Sequence, residues 1–216
     1  MVMTNAEKER FCLFAAALFA PPDGTTIADL QQDDILPVIG EYVRKWGGDG
    51  QLPEGFAQLT DREESLSALQ EEYERLFGPW EEKISLVESI YKPWTGDKQC
   101  GMVLAASKGL VMGDHALHML ELYHQSSLEV PEEYRSRPDH LALEMEFLAL
   151  LYRSASEEQV EWFVRDHLDW ITELREAMEK AKPLSFYRSA VELLRLFLQN
   201  ETKNGKVTDH GQKTIH

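Results

Sequence analysis

The chain predicts an all-α fold: a single-domain helical bundle of seven or more helices. Three observations carry that expectation. Apolar residues recur at i, i+3, i+4, i+7 over nearly every segment, which places them on one face of a helix. The segments that break this period are bounded by glycine and proline. The chain has 216 residues, 43% hydrophobic and 28% charged, enough for a sizeable core and too apolar for a disordered polymer.

The elements follow in order. Phe11, Phe14, Ala15 and Leu18 form the first stripe. After "APPDGTT" come Ile35, Val38, Ile39, Tyr42 and Trp46, and "GGDG" stops that helix. Leu66, Leu69, Tyr73, Leu76 and Phe77 form the third stripe. Ala116, Leu117, Leu120 and Tyr123 form the fourth, with Asp114 placed as an N-cap. Leu141, Met145, Leu148, Leu151 and Tyr152 make the fifth, and Val160, Phe163, Val164, Ile171, Leu174 and Met178 the sixth. Tyr187, Ala190, Val191, Leu194, Phe197 and Leu198 make the seventh, begun by Pro183. Between Gly78-Pro79 and Pro93 helical period fails, so residues 78–97 read as a long irregular loop, a kind that usually carries function or moves. A second break at 127–138 reads as a hinge. We expect the helical domain to span 1–200, with 201–216 a polar, frayed tail.

Charge and cysteine content narrow the function. The formal net charge is −16, which repels nucleic acid and suits a cationic partner. No run approaches the ~20 apolar residues of a membrane helix. Glu7 and Glu9 near the start oppose an export signal, so a cytoplasmic protein is expected. Cys12 and Cys100 are isolated in sequence and read as free thiols.

Chemical motifs are sparse. Glu121 and His124 form one Glu-x-x-His element, whereas carboxylate di-metal bundles use two such elements and two further glutamates. His115 and His118 lie three-residue steps away, each drifting about 60° around a helix, so these histidines read as surface groups and no metal or other cofactor is expected. No nucleophile elbow and no phosphate-cradling glycine loop occurs. Asp139 follows Pro138 and precedes an apolar stripe, the place of an N-cap, and His140 and Glu144 are one turn apart, so a capped hinge with a His–Glu contact suffices. Tyr73 and Phe77 lie on a core stripe. Trp80 and Trp94 each adjoin a proline in loop sequence, where rings often line peptide-binding surfaces.

"YERLFGP" (73–79), "ESIY" (88–91), "RPDHLALEMEFLALL" (137–151) and "HLDWITELREAMEKAKPLSFYRSAVELLRLFLQNE" (167–201) together resemble, in order and spacing, the TorD/DmsD/NarJ family of redox-enzyme maturation chaperones. Arg135 and Arg137 before Pro-Asp-His, and Glu81-Glu82-Lys83 after Gly-Pro, depart from the family pattern. The resemblance implies a cytoplasmic, all-helical chaperone without catalytic activity. It would bind the twin-arginine leader and the apo-form of a molybdenum-cofactor oxidoreductase of the dimethyl sulfoxide reductase type, assist cofactor insertion and prevent early export. It implies peptide-binding roles for Asp139 and His140 with Glu144, for Gly78 and Pro79 beside Tyr73, Phe77 and Trp80, and for Ser89 and Tyr91. A homodimer formed by helix exchange about 127–138 is compatible with it. A metal-dependent helical enzyme and a general helical adaptor without leader specificity remain as alternatives.

Overall fold

The computed structural model describes residues 3–25, 28, 35–47, 54–57, 62–78 and 84–209. The helices are α1 (Asn5–Phe19), α2 (Ile35–Lys45), α3 (Glu54–Ala57), α4 (Arg62–Phe77), α5 (Glu88–Tyr91), α6 (Asp114–Gln125), α7 (Leu141–Ser154), α8 (Glu157–His167), α9 (Ile171–Ala181) and α10 (Ser185–Asp209), with a 3₁₀ turn at Glu132–Tyr134. Among the described residues the only β pairing is an isolated antiparallel bridge between Val87 and His140. The all-α expectation holds.

Helix α7 is the axis. Eight of its first nine residues are buried and Glu146 alone among them is exposed, the pattern of a helix packed on all sides. It lies along α1, while α10 packs on α3 and α9. Phe197 of α10 meets Phe11 and Trp46 at ring-centroid distances of 4.5 and 5.5 Å. Tyr187 closes on Phe77 at 5.4 Å and Tyr73 at 6.3 Å, so the third stripe is core as its spacing predicts. Two reciprocal capping boxes, Thr4 with Glu7 and Ser156 with Gln159, start α1 and α8.

The structure departs from the sequence reading in four places. A one-turn helix, α5, lies inside the irregular segment, too short to show a period. The sixth stripe is two helices, because α8 stops at His167 and the Trp170 indole donates to the freed His167 carbonyl at 2.8 Å. Gly113, not Asp114, is the N-cap of α6. A side chain there would collide with the Trp94 carbonyl oxygen, and the Asp114 carboxylate instead accepts from Thr95 Oγ1 at 2.6 Å and Gly96 N at 2.9 Å. Finally, α10 continues to Asp209, through the first residues of the expected tail. Its Glu201 is held by Lys8 and the Tyr152 hydroxyl, each at 2.7 Å, so polarity there marks an internal pairing. Cys12 is buried and Cys100 half-buried, both free thiols as expected.

Candidate functional site

The proline before Asp139 and the irregular strand-like entry to α5 bring two remote segments into register. Leu141 N donates to Leu86 O at 2.8 Å, and Glu88 N donates to Asp139 O at 3.0 Å. The Asp139 carboxylate then accepts from Ser89 N at 2.8 Å. Asp139 therefore caps α5 from fifty residues away and not the helix it precedes. The N-cap of α7 is His140, whose Nδ1 accepts from Ala142 N at 3.2 Å. Its ring packs on Tyr134 at 4.9 Å, and no hydrogen bond or ion pair joins its side chain to Glu144 across the four-residue spacing. Burial, then the Arg137 charge, press its pKa down to about 3, so His140 is a neutral cap.

Glu88 is the centre. It is fully buried, yet surrounded by cations and imidazoles. Its Oε1 lies 2.6 Å from Lys92 Nζ and 3.2 Å from His115 Nδ1, and its Oε2 lies 2.8 Å from His167 Nδ1. His167 Nε2 is in turn 2.8 Å from His118 Nδ1. Burial alone would raise the Glu88 pKa; the hydrogen bonds to His115 and His167 and the charges of His167 and Lys92 outweigh it and hold the carboxyl well below its usual range. Glu144, equally buried, faces Glu88, and burial followed by the Glu88 charge raises its pKa well above normal. It is therefore the protonated member of the pair and can donate to Glu88. Burial, then the His167 charge, lowers the His118 pKa.

Above this junction opens a cleft of about 480 Å³. Tyr91, Lys92 and Pro93 form one wall; His115 and His118 of α6 form another; Arg165, Asp166 and His167 of α8, with Asp169, Trp170 and Glu173, close it. Tyr91 stacks on Trp170 at 5.1 Å and donates to Ser85 O at 2.9 Å. Lys92 is tied across the mouth to Asp169 Oδ1 at 2.6 Å and Asp166 O at 2.7 Å.

This arrangement falls wholly inside residues 48–183, which match the family model described as nitrate reductase delta subunit. The match covers well over half of the chain. The chain belongs to the nitrate reductase delta subunit family. That family consists of chaperones for molybdoenzyme maturation, of the NarJ and TorD-like kind, and the general chaperone role extends to this member. No individual curated protein matches the sequence. Among the described residues no helix is long and apolar enough to cross a membrane.

Of the residues singled out by sequence in this delta-family chain, Ser89, Asp139, His140 and Glu144 come together in the buried junction. Tyr91 lines the cleft. Tyr73 and Phe77 lie apart, in the core against Tyr187. Gly78 ends α4 where a side chain would collide with the Glu74 carbonyl oxygen. Pro79 and Trp80 lie outside the described residues. Glu121 and His124 stay exposed at the far end of α6, whereas His115 and His118 turn inward to Glu88 and His167. Sequence reasoning missed Lys92 and His167, and it held Glu88 only as a carboxylate of the irregular loop, where the structure buries it. Glu88 and His167 stand inside the motifs "ESIY" and "HLDW", the one available signal.

Proposed function

We propose that this protein is a cytoplasmic chaperone that binds the twin-arginine leader and the apo-form of the catalytic subunit of a molybdenum-cofactor oxidoreductase of the dimethyl sulfoxide reductase type. In that role it holds the subunit until cofactor is inserted and delays export. The observation that carries this reading is the family match over residues 48–183. Charge supports it, since a chain of net −16 attracts a cationic segment. The cleft supports it as well: its lining combines the Tyr91 ring with Asp166, Asp169 and Glu173, of which Asp166 and Asp169 already pair with Arg165 and Lys92 and Glu173 is left for an incoming cation. Carboxylates receive guanidinium groups in paired hydrogen bonds, and an aromatic face accepts both cations and apolar side chains.

The residues divide between contact and support. Tyr91 and the acidic rim meet the peptide. Ser89, Asp139, His140 and Glu144 contribute from beneath by fixing the segments that form the walls. Tyr73, Phe77 and Gly78 set the end of α4, and a role for Pro79 and Trp80 in leader binding rests on the sequence alone. A leader that orders on binding gives up much of its interaction energy, so micromolar affinity, on the order of 10⁻⁶ M, is expected. Calorimetric titration with leader peptides of molybdoenzymes encoded nearby tests the reading. Binding that drops at least tenfold when the arginine pair becomes a lysine pair supports it. Equal binding of both peptides, or none, contradicts it.

A further inference from the structure

The junction buries Glu88, Ser89, Asp139, His140, Glu144 and His167 together. Beside the Glu88 carboxylate, Asp139 Oδ1 and Ser89 Oγ are buried without a hydrogen-bond partner. Lys92 Nζ and His115 Nδ1 lie 2.6 and 3.2 Å from Glu88 Oε1. Around the same point, Glu88, His115 and His167 each bring one ligand-type atom, all within 4.8 Å of one another. These three come from α5, α6 and the end of α8.

We propose that Glu88, His115 and His167 form a binding site for a divalent transition-metal ion, with Zn²⁺ the best match to one carboxylate and two imidazoles. The surroundings have the features such sites need. His167 ligates through Nδ1 while its Nε2 meets His118 Nδ1, so His118 acts as the outer partner that fixes ring and tautomer. Glu144 stands behind Glu88, the place of a group that orients a ligating carboxylate. His115 faces the cleft, which leaves a fourth position for water. Lys92 is the competing cation. It has a second berth on Asp169 and the Asp166 carbonyl, so it can release Glu88 without losing its partners. The bound ion would clip three separate segments together and set the shape of the cleft. This site differs from the Glu121/His124 element noted in the sequence, and it does not depend on leader binding.

Metal-stripped, untagged full-length protein titrated with ZnCl₂ by calorimetry is the test. One equivalent is expected to bind. His115→Ala and His167→Ala should each weaken binding by more than about 100-fold, and His118→Ala by roughly 10- to 100-fold, while the exposed His124→Ala leaves it unchanged. Lys92→Met removes the competitor, so it should tighten Zn²⁺ binding and gain more in Tm from added zinc than the parent does. Because His167 is buried and its variant can misfold, Co²⁺ loading of the parent and His115→Ala gives a second readout. The parent should show visible d–d absorption of a four- or five-coordinate site, lost in the variant. Sub-stoichiometric binding by the parent, binding indifferent to His115 and His118, or loss of binding on His124→Ala overturns the proposal.

Discussion

The two ends of α7 are built by opposite rules. Its C-terminal half, with α1, α2 and α10, is an aromatic and aliphatic interior in which Phe11, Trp46, Tyr152 and Phe197 touch ring to ring. Its N-terminal end carries Asp139, His140 and Glu144, all buried, against Glu88 and His167. Close packing of apolar side chains stabilises a fold at little cost in specificity, whereas buried ionisable groups forfeit hydration and must be matched one by one. A chaperone that only needed to stay folded could have used leucine at position 144. The contrast teaches that stability resides in the aromatic half and that the polar half is retained for what happens in the cleft above it.

Substitutions can break or sharpen that contrast. The largest loss is expected for Phe197→Ala, about 3–5 kcal/mol by denaturant unfolding, since the fully buried ring leaves a cavity among three others. Glu88→Gln should follow at about 3 kcal/mol, because Lys92 loses its counter-charge and the two imidazoles lose their carboxylate partner. Asp139→Ala leaves the buried Ser89 N–H without its acceptor and should cost about 1–3 kcal/mol.

The smallest effect on stability at neutral pH belongs to His140→Asn, which keeps a capping side chain. Its signature is the pH profile. The folded pKa of about 3 lies below the ordinary histidine value of about 6.5, so the unfolded chain takes up the proton first. The parent is therefore at full His140-dependent stability above about pH 6.5 and loses it as pH falls toward 3. The Asn variant should flatten that slope in urea titrations repeated between pH 7 and 4.

The apolar half was legible in the sequence because burial there follows helical period, from the first stripe to the seventh. The polar half was legible only as motifs. Asp139 was read as the cap of α7 and His140 as a partner of Glu144, whereas His140 caps α7 and Asp139 caps α5, since which carboxylate or imidazole reaches which N–H depends on α5 arriving from elsewhere. Glu88 and His167 are 79 residues apart, and no local pattern predicts that they meet at 2.8 Å. A buried ion network has no period. Likewise the polar stretch after residue 200 hid a helix secured by Glu201, whose partners lie in α1 and α7.

The most direct measurement for the account as a whole reverses one charge on the cleft rim and leaves the junction intact. Glu173 is exposed, lines the cleft and supports no buried partner among the described residues. Titrating Glu173→Lys with a twin-arginine leader should show binding weakened about tenfold, or about 1.4 kcal/mol, with Tm unchanged. Unaltered affinity in that variant would contradict the placement of the leader in this cleft.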